Sequence, residues 1–172
     1  MNKKASFDVI VNLFRLLFVI VVFISVIAIT GAFIKYNIDV FETESRLLTA
    51  RVFFSDDLNY KDEITNRKNV GIIDMQKFLS SDFEKNLMNS IYYGQSNSEA
   101  SAKITLKDLD DNKVHEKYYN EELYKEKKVL VEAKLIGAGA SKRLDTDFYV
   151  VIKDNEKLKR GVLNIDAILP NR

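Results

Sequence analysis

One uninterrupted apolar stretch dominates the pattern of hydrophobic and polar positions. It runs from Leu16 to Ile34 without a charged side chain, between Arg15 and Lys35. At about 1.5 Å of rise per residue, a helix of this length matches the roughly 30 Å hydrocarbon layer of a bilayer. The pattern therefore predicts a transmembrane helix over residues 16–34. Residues 1–15 would form a cytoplasmic stub or leader in which the helix already begins; a cleaved secretory signal, the alternative, typically has a shorter apolar core.

Helical spacing continues beyond this span. No proline or glycine interrupts residues 32–54, and apolar side chains recur there at helical intervals, at Ile38, Phe41, Leu48 and Val52. Two helical models fit residues 35–54: one helix continues from Phe7 to Phe54, or the chain breaks near Asn37 and restarts with Asp39 as N-cap. In both models the segment packs an apolar stripe on the domain that follows.

Residues 55–172 predict one extracytoplasmic domain. The polar residues 55–69 indicate a loop, Val70 to Ile73 a short strand, and Ser81 to Glu84 a capping box that opens a helix. From Ala102 onward the apolar period is two, which predicts strands around residues 102–107, 114–119, 129–135, 148–153 and 163–169, with a short charged helix or loop at 120–128. Short polar turns favour antiparallel pairing. The expected fold is α+β, with an antiparallel sheet of four or five strands packed against helices.

Charge and cysteine content narrow the function classes. Residues 1–36 hold four basic side chains and one acidic one, and the rest of the chain holds 22 and 24. The basic start and the acidic residues Asp39, Glu42 and Glu44 after the span place the N-terminus in the cytoplasm and the domain outside. Such a mixed-charge domain is a poor nucleic-acid binder. The absence of cysteine excludes disulfides and thiol catalysis.

No pattern of side chains indicates catalysis, a metal site or a bound cofactor. His115 is the only histidine and lies in a predicted strand. Asp108, Asp110 and Asn112 have the first spacings of a calcium loop, but Lys113 and Tyr119 stand where that loop needs glycine and glutamate. The acidic loop at 56–63, the glycine-containing segment 137–142 and the tyrosine pairs Tyr92–Tyr93 and Tyr118–Tyr119 are expected to be solvated loops and packing residues.

Three polar side chains before the span share one face of a helix. Asp8, Asn12 and Arg15 follow one another at spacings of four and three. They form either a polar stripe at the level of the lipid headgroups, with Arg15 reaching toward water, or an intramembrane pairing site in which Asp8 contacts a neighbouring subunit.

The N-terminus resembles that of archaeal type IV pilin-like proteins. Lys4, Ala5 and Ser6, before the long apolar helix, look like the family's leader junction, which implies cleavage after Ala5. The resemblance also implies that Asp8 stands in for the near-N-terminal carboxylate of many pilins, although Ile10 occupies the usual position. Other parts of the chain look like small uncharacterised archaeal membrane proteins: residues 45–51, 161–163 and 169–172.

Two functions follow as hypotheses. The first is a pilin-like or minor-pilin subunit that acts without catalysis in surface assembly or adhesion. The second is an uncleaved single-pass membrane protein that presents a binding or scaffolding domain to a membrane complex. In both, the expected partners are membrane lipid and either further copies or other membrane or pilus-assembly proteins bound through the N-terminal helix.

Overall fold

The chain forms two units, Met1–Asp39 and Val40–Arg172. The computed structural model describes residues 3–37, 40–91, 99–134 and 140–170, with the backbone alone at 3–11, 33–37 and 40. The first unit is a single helix, α1 (Lys3–Asn37). The second begins with α2 (Val40–Phe53), so this helix belongs to the domain. The N-cap predicted at Asp39 lies outside the described residues.

The second unit is an α+β domain built on six strands. Its remaining helices are α3 (Met75–Leu79), α4 (Phe83–Ser90) and α5 (Glu121–Glu132). Its strands are β1 (Asn59–Lys61), β2 (Lys68–Asp74), β3 (Ser101–Asp108), β4 (Val114–Tyr119), β5 (Ser141–Asp154) and β6 (Lys157–Pro170). They form one sheet in the order β1-β2-β5-β6-β3-β4.

The sheet is mixed, so the prediction of an antiparallel sheet of four or five strands is wrong in strand count and in one pairing. Strand β2 pairs with β5 in parallel over residues 72–74 and 151–153, while every other neighbouring pair is antiparallel. Parallel pairing needs a long crossover. Here the crossover contains α3, α4, the β3–β4 hairpin and α5.

The core lies on one face of the sheet. Alternate residues of β3 and β6 point to it, and α2, α3 and α4 supply apolar side chains that are fully or almost fully buried, including Leu48, Val52, Phe78, Phe83, Leu87, Ile104, Leu106, Leu163 and Ile165. The predicted apolar stripe of the segment before Phe54 is confirmed at Leu48 and Val52. Packing of alternating β-residues against helices explains why this face is dry.

The opposite face is polar and carries α5 at one end. The Tyr124 hydroxyl of α5 donates to the Asp166 carboxylate of β6 at 2.5 Å, and Arg143 Nε of β5 donates to the same carboxylate at 2.7 Å. Burial is the main cause that raises the pKa of Tyr124, and the hydrogen bond to Asp166 adds to it. This network holds α5 on the sheet.

Several local predictions need correction. Residues 129–132 belong to α5 and not to a strand. The helix is held against the sheet by the buried Tyr124 and continues through Val129 and Val131, whose alternation suggests a strand. The predicted loop 55–69 contains β1 and the start of β2, and α3 was not predicted. The N-cap of α4 is Asp82 rather than Ser81. Glu84 does not complete a capping box, because its carboxylate accepts the Tyr118 N–H of β4.

Candidate functional site

Helix α1 carries every residue that the sequence singles out for processing or membrane pairing. Lys4, Ala5 and Ser6 lie in its first turns and Asp8 follows, so the proposed leader junction is helical in the described backbone. Asn12 is exposed, as is Arg15. Cleavage after Ala5 and pairing through Asp8 stay predictions.

The middle of α1 has an exposed apolar surface. Residues Asn12–Ala32 form a stretch long and apolar enough to cross a membrane, and none of it is buried. The side chains of Phe18 and Ile29, for example, are each 69% exposed. Exposed apolar patches of this extent mark sites of contact with lipid or protein.

The turn at residues 108–112, whose first spacings resemble those of a calcium loop, binds the ammonium group of a lysine. Lys159 Nζ of β6 lies 3.3 Å from the Asp108 carboxylate, 2.8 Å from that of Asp111 and 3.3 Å from that of Asp154. These contacts tie the β3–β4 turn to the β5–β6 hairpin. The turn is therefore a structural clip whose cation comes from the chain itself.

A second ion pair strengthens this clip and fixes its charge state. Arg160 Nη2 lies 2.7 Å from the Asp110 carboxylate. The backbone N–H of Asp111 is the main cause that lowers the pKa of Asp108, and the hydrogen bond to Asp111 is the main cause that raises the pKa of Lys159. These shifts keep the Asp108 carboxylate and the Lys159 ammonium charged at neutral pH.

The other candidates from the sequence do not converge. His115 lies half-buried on β4, and Asp56 in the acidic loop pairs with Lys68 Nζ at 2.6 Å. The described residues hold no group of three or more His, Cys, Asp or Glu side chains placed to bind a metal ion. The segment 137–139 and the pair Tyr92–Tyr93 lie outside the described residues.

The feature that the sequence did not indicate is an open strand edge. Strand β5 pairs with β6 along its whole length, from Ser141 opposite Pro170 to Asp154 opposite Lys157. Its other side pairs with β2 only at residues 151–153. Among the described residues, the stretch 141–149 therefore has a ladder partner on one side alone. Every second residue there directs its N–H and C=O away from β6.

Gly71 and Asn59 direct β2 away from this edge. Gly71 has a φ of +86°, a conformation that side chains with a Cβ disfavour. Its N–H donates to the Asn59 side-chain oxygen at 3.0 Å. Asn59 is fully buried and its amide nitrogen donates to the Phe53 carbonyl at 2.6 Å and the Ser55 carbonyl at 2.9 Å. One side chain thus joins β1, β2 and the end of α2, directly before the residue at which the pairing of β2 with β5 begins.

A groove runs between this edge and α2. It encloses about 450 Å³ and is lined on the α2 side by Arg46, Thr49, Ala50, Phe53 and Phe54, and on the β5 side by Leu144, Asp145, Thr146 and Phe148. The Phe53 and Phe148 rings stack with centroids 4.3 Å apart. The Thr49 hydroxyl is buried and has no hydrogen-bond partner among the described residues. The groove therefore offers mainly apolar walls beside a strand edge that has no ladder partner among the described residues.

The polar face beside the edge is ordered by ion pairs. The Asn164 side-chain amide of β6 donates to the Asp147 carboxylate of β5 at 2.8 Å and also to that of Asp145. Arg143 on the same face is 3.6 Å from Asp145, and its hydrogen bond to Asp166 is the main cause that raises its pKa. Along β5, the basic residues Lys142 and Arg143 thus precede the acidic residues Asp145 and Asp147.

Comparison of the chain with family models, with curated proteins and with solved structures found no match.

Proposed function

We propose that the protein is a single-pass membrane-anchored assembly protein without catalytic activity. Helix α1 anchors it with the N-terminus in the cytoplasm, and the α+β domain lies outside and binds an extended polypeptide along the β5 edge. The observation that carries the proposal is the wholly exposed apolar stretch Asn12–Ala32. Leu, Ile, Val and Phe each gain about 0.3–0.6 kcal/mol at the centre of a membrane helix. The basic residues before the stretch favour this orientation.

The edge gives the domain its binding mode. Among the described residues, 141–149 have a strand partner on one side alone, and they lie beside a groove with apolar walls. In strand addition, backbone hydrogen bonds supply affinity and side-chain pockets supply specificity. Phe54, which is 53% exposed, and the half-buried Leu144 are the apolar contacts available to an added strand.

Cysteine labelling tests the topology, because the chain has no cysteine of its own. Ile64, 95% exposed, is replaced by cysteine in the domain, and Lys3 is replaced in a second variant. On intact cells, a membrane-impermeant maleimide is expected to label I64C and to label K3C only after permeabilisation. Both variants should stay in the pellet after an alkaline carbonate wash. Release into the supernatant, or the reverse labelling pattern, would contradict the proposal.

The pilin-like subunit is the second candidate function. Helix α1 spans Lys3–Asn37, which at about 1.5 Å per residue exceeds the roughly 30 Å hydrocarbon layer and leaves length for packing between subunits. The junction at Lys4, Ala5 and Ser6 supports it further. Mass spectrometry of the mature chain is expected to show a start at Ser6 if the protein is a processed pilin. A chain that still begins at Met1 or Asn2 excludes this candidate and leaves the anchored protein.

A further inference from the structure

We propose that the open edge of β5 pairs with the same edge of a second copy of this chain, in antiparallel orientation and centred on Leu144. The inference rests on the proposed function, since it names the partner of the strand edge. An open ladder of N–H and C=O groups is matched by another extended backbone and by no other ligand chemistry. The charges along β5 favour a second copy of the same strand as the partner.

Pairing two copies of one strand edge fixes which side chains meet. In a continuous sheet with a two-fold axis normal to it, side chains directly opposite each other lie on the same face. The axis therefore passes midway between the two copies of one residue, which is called the residue at the axis. With the axis at Leu144, Arg143 of each copy lies opposite Asp145 of the other. Lys142 then lies opposite Thr146, and Leu144 meets its own copy on the groove side.

Other positions of the axis bring like charges together. An axis at Lys142, Arg143, Asp145 or Asp147 sets that charged residue opposite itself. An axis at Thr146 sets Asp145 opposite Asp147. Like charges directly opposite each other destabilise a strand pair. Leu144 is therefore the only position from 142 to 147 at which opposite charges meet and no like charges do.

The groove supports this partner as well. In each copy, Arg46, Ala50 and Phe54 of α2 line the groove beside Leu144. We expect the added strand, with its own Leu144, to cover part of this groove and to reduce the exposure of Phe54. The pairing thus covers the backbone edge and the apolar walls together.

Disulfide formation tests the register in the intact chain. Residues directly opposite in an antiparallel pair have Cα atoms about 4.5–5.5 Å apart, which a disulfide can bridge. The variant Leu144→Cys, oxidised in detergent micelles or native membranes, is expected to give a covalent dimer on a non-reducing gel. Thr146→Cys is the matched control: it is on the same strand and face, but its two copies lie about 13 Å apart in this register. It is expected to stay monomeric.

Charge reversal at two positions of the same strand gives a second readout. In this register, Asp145→Arg places its arginine opposite Arg143 of the other copy, at both symmetry-related pairs. Asp147→Arg places its arginine opposite the neutral Ser141. Both positions are exposed, and both carboxylates accept a hydrogen bond from Asn164. We expect Asp145→Arg to weaken dimerisation about tenfold, since two attractive pairs become repulsive, and Asp147→Arg to change it less than about twofold. Analytical ultracentrifugation in micelles measures both.

Three results would overturn the inference: no disulfide in Leu144→Cys, equal disulfide formation in both cysteine variants, or a stronger effect of Asp147→Arg than of Asp145→Arg. A protein that passes the membrane-labelling test but fails here is still an anchored protein. Its edge then takes a strand from a different protein.

Discussion

The outer strand β4 and the inner strand β5 each have a stretch without a strand neighbour among the described residues, and the domain treats these two stretches differently. On the outer strand β4, the Tyr118 N–H donates to the Glu84 carboxylate at 3.1 Å, and Lys117 Nζ donates to the Ser80 carbonyl at 3.0 Å. Helix α4 and the turn before it therefore occupy that edge. On β5, the described residues offer no such cover at 141–149.

Natural sheets usually block their edges because an unpaired ladder recruits other strands. The covered β4 edge follows this rule, and its charged residues Glu116 and Lys117 add to the protection. The uncovered β5 edge is maintained by a specific device, the Gly71 kink held by Asn59. A strand edge that is kept open beside an apolar groove is best explained as a binding surface.

The largest expected effect comes from Asn59→Ala. The change removes three hydrogen bonds and leaves the Phe53 carbonyl and the Gly71 N–H without this partner, so we expect a loss of about 3 kcal/mol in the free energy of unfolding. Chemical denaturation of the full chain in micelles measures it. Asn89→Ala, at an exposed position on α4, is the control and should change stability by less than about 0.5 kcal/mol. Similar values for the two variants would contradict the role given to Asn59.

Gly71→Ala tests the kink itself. A Cβ at this position has no atom within 4 Å, so the cost comes from the positive φ and not from a clash. We expect a loss of about 1–2 kcal/mol in the same denaturation measurement. An unchanged or increased stability would show that β2 can straighten and extend its pairing along β5. In that case the open edge is not a fixed feature.

Glu84→Ala tests the covered edge. The Tyr118 N–H loses its acceptor, and we expect a loss of about 1 kcal/mol together with faster hydrogen exchange of that amide. Glu84→Gln keeps an oxygen acceptor and should exchange close to the unchanged protein. If both variants leave the Tyr118 amide equally protected, α4 does not cover the edge through this carboxylate.

The clip around Lys159 should give the smallest effect, seen in the pH dependence of stability. Hydrogen bonds lower the folded-state pKa of Asp108 and Asp110, so their contribution is present above the unfolded value of about 3.9 and is lost as pH falls through the folded pKa. Lys159 has a raised pKa, so its contribution persists up to about pH 10.4 and is lost above that. Thermal unfolding between pH 7 and 2 should show a steeper fall for the unchanged protein than for Lys159→Met. Parallel curves would contradict the clip.

Much of the domain could be predicted from local pattern. The long apolar run predicts α1. Strict alternation predicts the β3–β4 hairpin and the C-terminal halves of β5 and β6, because each lies with one face on the core. Local pattern failed at residues 129–132, where alternating valines lie in a helix fixed by the contact of Tyr124 with Asp166, 42 positions away in the chain.

The candidate site depends on relations that no single stretch contains. The pairing of β2 with β5 begins only after Gly71, and nothing in residues 141–149 indicates where that pairing begins. The cation of the calcium-like turn is Lys159, 48 positions after Asp111. Such contacts are set by strand order, and strand order follows from packing of the whole core.

Residue-resolved hydrogen exchange of the full chain in micelles, at low and high protein concentration, tests the central claim most directly. At low concentration, every second amide of residues 141–149 should exchange quickly, while the Tyr118 amide on β4 stays protected. At high concentration, the β5 amides should become protected and β4 should not change. Fast exchange at β5 at both concentrations would contradict pairing between copies, and protection at both would contradict an open edge.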